Sequence, residues 1–277
     1  VPGNTVVPGH GVMRSASFAF IDHSGRTAVT AFVDTTAGLL PATGLGSAIF
    51  IADRFGHLTT IAAAGDRAPN GGTFAELDNV RLNDAGDIAF QGRVRGGGEC
   101  GTDPARVCGM SVFVRRSGEA ITRIAGPGTI TVNYIRLRHA GGVMLNNRRE
   151  VIYTGALEPP PGTLGPPTGS GIFIHSERGD RPIALSGDIM PDGRTLATVN
   201  PSRMSNGLSA NNDGDVIFSG GLADGTCGMY GYSSGILYRI VGAGTAIPNI
   251  GTIACDANST LAEILNDKRQ IMFSASL

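Results

Sequence analysis

An all-β fold of tandem four-stranded units, propeller-like in its repetition, is what this sequence predicts, and three observations predict it. Turn-formers are dense: 42 Gly and 15 Pro in 277 residues, with 16% charged, leave little room for continuous helices. One short turn recurs five times at a nearly constant step. Each copy runs into an apolar–polar alternation of period two, the mark of a strand with one buried face.

The turn reads Ile21-Asp-His-Ser-Gly25, Leu82-Asn-Asp-Ala-Gly86, Leu145-Asn-Asn-Arg-Arg149, Ala210-Asn-Asn-Asp-Gly214 and Leu265-Asn-Asp-Lys-Arg269. Its opening Asn or Asp stands at 22, 83, 146, 211 and 266, which gives steps of 61, 63, 65 and 55. An Asn or Asp side chain bonds the backbone two residues on, and a closing Gly takes a positive φ without strain. Arg149 and Arg269 hold that closing place in two copies and leave their turn geometry open. The strand after each turn is Thr27–Val33, Asp87–Gln91, Glu150–Thr154, Asp215–Ser219 and Gln270–Ser274. A register common to all copies puts Phe32, Phe90, Tyr153, Phe218 and Phe273 in one buried layer.

A second hairpin follows in four copies, as in Ser47–Ala52 with Leu58–Ala62 and Ser111–Val114 with Ala120–Ile124. Units of approximately 12–78, 79–141, 142–205 and 206–260 result, in a single repeat domain spanning 1–277. A partial fifth unit, 261–277, carries only its first hairpin. Blades of this kind cannot bury both faces without neighbours. A closed β-barrel or a sandwich of the same strands is the alternative.

The run Asn83-x-x-Gly86-x-x-Ala89-Phe90 resembles the NxxGxxAF tandem-repeat, choice-of-anchor proteins of bacterial surfaces, and the likeness extends over nearly the whole chain. That resemblance implies export and surface anchoring, and it brings no catalytic residues.

The four cysteines suit two local disulfides, Cys100 to Cys108 and Cys227 to Cys255, and place the chain outside the cell, secreted or at the cell surface. Their spacing lacks a Cys-x-x-Cys pair for zinc. Lys268 is the only lysine, and 22 basic against 23 acidic groups give a net charge of −1, so nothing draws nucleic acid by charge. No stretch nears the ~20 apolar residues of a membrane-spanning helix, and Val1 reads as the start of a processed chain.

Chemistry is sparse, and the expectation is no enzyme, no cofactor and no metal. Gly231-Tyr-Ser-Ser-Gly235 matches a nucleophile elbow in letters but falls in a hairpin turn. Asp84, Asp87, Asp213 and Asp215 offer oxygen ligands without the spacing of a calcium loop. Asn258-Ser-Thr260 is a formal glycosylation acceptor, and 158–168 reads as a stiff Pro-rich loop.

The function expected is structural. Asn4–Gly11 resembles the last strand of a full unit, and the partial unit lacks one, so Thr5, Val6 and Val7 would add to the sheet of Ile264, Ile271 and Phe273 in the same chain or the next copy. Head-to-tail addition yields a homopolymer, a fibre or surface layer. A monomeric secreted module binding glycans or protein partners is the alternative.

Overall fold

Strands adjacent in sequence pair antiparallel within each large sheet, and the result is a series of meanders. The computed structural model describes residues 6–7, 11–34, 45–97, 103, 105–131, 134–158, 169–199, 207–257 and 262–277. The first sheet holds β1 (Val6–Val7), β2 (Gly11–Ile21), β3 (Thr27–Asp34), β4 (Leu45–Ala52) and β5 (Leu58–Ala63) in that order. The second is β6 (Thr73–Leu82), β7 (Ile88–Arg95), β8 (Ser111–Arg115) and β9 (Ile121–Ala125). The third is β10 (Leu137–Leu145), β11 (Val151–Leu157), β12 (Ser170–Ser176) and β13 (Gly179–Leu185).

In the fourth sheet the first strand is interrupted: β14 (Leu196–Val199) and β15 (Leu208–Ala210) both pair with β16 (Val216–Leu222), followed by β17 (Cys227–Ser233) and β18 (Ile236–Gly242). Two small hairpins follow, β19 (Ala246–Ile247) with β20 (Gly251–Thr252) and β21 (Ala262–Leu265) with β22 (Ile271–Ser274). The fold is therefore all-β, made of tandem four-stranded propeller-like units, and no closed barrel forms among the described residues. Its sheets start ahead of the boundaries expected at 79, 142 and 206, because the first strand of each reaches back to Thr73, Leu137 and Leu196.

By internal contacts the chain divides into two compact units, Val1–Gly128 and Thr129–Leu277. In the first unit, Ala28, Ile49 and Ala62 of the first sheet lie against Phe74, Leu77, Ile88, Phe90 and Phe113 of the second. In the second unit, Ile152, Ile172 and Ile174 of the third sheet lie against Leu196, Val216, Phe218 and Tyr230 of the fourth. Each such aromatic removed from water contributes about 1.5–3 kcal/mol.

An aromatic pair marks the middle of three sheets: Phe90 stacks on Phe113, Tyr153 on Phe173, and Phe218 lies tilted against Tyr230, with centroids 5.4, 5.3 and 5.8 Å apart. At the same place in all four sheets the pairing to the last strand slips by one residue, between Ile49 and Phe50, Val112 and Phe113, Ile172 and Phe173, and Met229 and Tyr230. A bulge repeated in register four times is a built feature of the unit.

The common aromatic layer holds for Phe90, Tyr153 and Phe218, which are fully buried, but not for Phe32, which is 44% exposed. Phe32 stands seven residues past Gly25, whereas Phe90 stands four past Gly86. A difference of three reverses the face of a strand. The true counterpart is Val29, which pairs with Phe50 as Phe90 pairs with Phe113. Phe273 is only half-buried, because a two-stranded sheet covers it less than a full one.

Candidate functional site

The five turns share one geometry, including the two with arginine at the close. In each, the fourth residue's N–H donates to the opening residue's carbonyl, and the opening residue's N–H to the carbonyl of the fifth. The opening Oδ1 accepts the fifth residue's N–H at 2.9 Å in all five copies. The closing residues take the left-handed conformation, with φ of 80° at Gly25, 84° at Gly86, 64° at Arg149, 81° at Gly214 and 61° at Arg269. Three bonds hold the turn, which is how an arginine is kept where glycine is easier.

Neighbouring turns are tied by their second residues. In the first unit the His23 N–H donates to Asp84 Oδ1 (3.0 Å), and the His23 Nδ1 lies 2.8 Å from the same carboxylate. In the second unit the Asn147 N–H donates to Asn212 Oδ1 (3.1 Å), and the Asn212 N–H to Asp267 Oδ1 (2.8 Å). Within each unit, side-chain acceptors thus link successive turns at one end of its sheets. The acidic turn residues are engaged in protein contacts: buried Asp87 accepts from the Ser117 N–H and pairs with Arg116, and buried Asp215 accepts from Ser233 and Arg269. Among the described residues no three His, Cys, Asp or Glu side chains gather as a metal site.

Ser233, the serine of the elbow-like letters, ends β17. A two-residue turn, Ser234-Gly235 with φ of 51° and 88°, leads directly into β18. This is the geometry of a tight hairpin, and the Ser233 hydroxyl donates to Asp215.

The expected assembly residues are distributed over two places. Val6 and Val7 pair with Val12 and Gly11 at the edge of the first sheet, and Thr5 lies outside the described residues. In the last hairpin, Ile271 and Phe273 turn inward onto Cys227, Met229, Ile240 and Val241 of the fourth sheet. Ile264 turns outward, 58% exposed, beside its cross-strand partner Met272, 66% exposed. Sequence reasoning missed Met272, although alternation along Ile271–Ser274 was the signal for it. The hairpin is fixed by the Leu265 N–H on Ser209 (3.1 Å), by Arg269 on Asp215 (2.8 Å) and by the Cys227–Cys255 disulfide just ahead of it. Cys108 is also disulfide-bonded; Cys100, its expected partner, lies outside the described residues, as do Asn258–Thr260 and 159–168.

At the opposite end of the fourth sheet, away from its turns, a polar network closes on Asp192. Arg194 grips its carboxylate (2.8 and 3.0 Å), Arg239 lies 3.3 Å from it, and the Tyr230 hydroxyl donates to it at 3.3 Å. Burial pushes the Asp192 carboxyl up, but the bonds from Arg194 and Tyr230 outweigh that and hold it below the usual range. Burial and the Asp192 charge push the Tyr230 phenol up to about 12. Both directions favour an ionised carboxylate beside a neutral phenol. In the third sheet the Tyr153 hydroxyl donates to Asp180 (2.9 Å), which also meets His175 (3.2 Å); burial and that charge raise the phenol.

No curated protein matches the chain. Solved structures of similar strand course are distant. A protein of unknown function from Dyadobacter fermentans is 11% identical, with 79% of this chain and 66% of that one covered and a TM-score of 0.39. A polysaccharide lyase is 8% identical over 95% and 55% of the two chains, with a TM-score of 0.43. A gluconolactonase from Xanthomonas campestris is 14% identical over 96% and 88%, with a TM-score of 0.37. The chain spans less than two thirds of the first two. No activity is carried over from any of them. The family model described as "Family of unknown function (DUF7453)" matches residues 2–160, more than half of the chain, and the protein therefore belongs to that family.

Proposed function

We propose that the chain is an extracellular structural protein that assembles with copies of itself, the last hairpin receiving the Thr5–Val7 strand of a neighbouring copy. One observation carries the reading: Ile264 and Met272 stand side by side on the outward face of β21–β22 at 58% and 66% exposure, while the inward face is packed. Among the described residues β22 pairs with β21 alone, so an added strand would lie along its other side. Among the described residues the donor strand is held at home by two residue pairs, Val6 with Val12 and Val7 with Gly11. The disulfide supports an oxidising, extracellular setting.

The test is sedimentation velocity and negative-stain microscopy over a concentration series of wild type, Met272→Lys and a chain lacking residues 1–7. Wild type is expected to form polymer and both variants to remain folded protomers. Variants that polymerise like wild type, or a wild type that stays monomeric at high concentration, defeat the proposal; the second result favours a monomeric module that binds glycans or protein partners.

A further inference from the structure

The methionines of the chain differ sharply in their access to water. Met13, Met190 and Met229 are buried, Met229 completely. Met110 and Met144 are half-buried, Met144 against the core formed by the third and fourth sheets. Met272 is 66% exposed and is the one exposed methionine among the described residues, outside which Met204 lies.

The last hairpin holds two of these side chains in opposite conditions. Alternation along β22 turns Ile271 and Phe273 inward onto Met229 and turns Met272 outward beside Ile264, its cross-strand partner. The hairpin that covers the Met229 sulfur therefore presents the Met272 sulfur to solvent. The ties that fix it there, the Cys227–Cys255 disulfide, Leu265 on Ser209 and Arg269 on Asp215, make no use of Met272.

A thioether attacks a peroxide through a sulfur lone pair. The sulfur takes one oxygen and is oxidised, the O–O bond breaks, and the second oxygen leaves as water with both peroxide protons. Access of the oxidant to the sulfur decides which methionine reacts, and the sulfoxide formed is polar where the thioether was apolar.

We infer that Met272 is a modification site: hydrogen peroxide oxidises it ahead of the other described methionines in the folded chain, and the sulfoxide makes the Ile264–Met272 face polar and withdraws it from strand addition. The site stands on exposure, while the loss of strand addition rests on the assembly reading above. Methionine sulfoxide reductase restores the thioether, so the change is reversible.

The test treats wild type, Met272→Leu and Met272→Gln with dilute hydrogen peroxide, at a protein concentration low enough to keep protomers and with the disulfide intact. Mass spectrometry of an unreduced digest reads the gain of one oxygen on each methionine peptide, and sedimentation velocity after concentration reads assembly. In wild type, Met272 is expected to gain its oxygen at least about tenfold faster than Met13, Met190 or Met229, whose sulfurs are reached only when the chain opens. Oxidised wild type is expected to stay a protomer, as Met272→Gln does without peroxide, and to recover its polymer after treatment with the reductase. Met272→Leu, which has no sulfur to oxidise there, is expected to assemble to the same extent before and after peroxide. Oxidation of Met272 no faster than that of the buried methionines overturns the site, and oxidised wild type that assembles as before overturns the effect on assembly. A wild type that never polymerises defeats the assembly reading and this effect together, and the peptide map alone then decides the site.

Discussion

Phe90 lies four residues past the close of its turn, at zero exposure, between Phe74 and Phe113, with ring centroids 6.1 and 5.4 Å away. Truncating it leaves a void that a sheet pinned on both sides cannot collapse, so Phe90→Ala is expected to cost about 3–5 kcal/mol in urea denaturation. A cost below about 1 kcal/mol would show that the layer repacks. This residue was legible in the sequence because Gly86 fixes its register. Phe32 was misplaced because a second aromatic, out of register, drew attention from Val29. At Asp215, burial pushes the carboxyl up, but Ser233, Asn211 and Arg269 together hold it below the usual range. A lowered folded-state value means that the contribution to stability is present above the unfolded value of about 3.9 and is lost as pH falls toward the folded one. Stability is thus expected to drop below about pH 4, and less steeply in Asp215→Asn; equal slopes in the two chains would remove Asp215 from the account.

A two-stranded sheet of four-residue strands does not stand alone in water, so β21–β22 depends on what binds it to the fourth sheet. The Cys227–Cys255 link, 28 residues apart in sequence, is one such tie and contributes about 3 kcal/mol. Reduction is expected to strip amide-exchange protection from 262–274 while β16–β18 keep theirs. Unchanged protection in the hairpin would assign its anchoring to Ile271 and Phe273 alone. The turn hairpins were legible because side chains encode them. The hairpins that connect one sheet to the next went unread, although they too are encoded. Asp66, Asp188 and Thr245 each accept, on a side-chain oxygen, the N–H three residues back, at 2.8, 2.8 and 3.1 Å. The signal was a Gly followed by Asp or Thr, with Pro three residues on at Pro69, Pro191 and Pro248.

For the whole molecule, the order of the four large sheets was legible because pairing within each is local, whereas the small β19–β20 sheet was not foreseen. The sequence did not specify how sheets meet, since packing faces depend on register and on bulges that leave no letter pattern. The division into Val1–Gly128 and Thr129–Leu277 falls between the second and third sheets, where no composition shift marks it. The turns at one end of each sheet have a constant length and are cross-tied by their second residues. At the other end, the connections between second and third strands run over 35–44, 96–110, 158–169 and 223–226, and no two match. The turn end of each sheet is therefore built one way throughout, while the lengths at the other end vary. A change of length is thus better borne at such a connection between second and third strands than at one of the repeated turns, where it would break the turn's own bonds and its tie to the next turn.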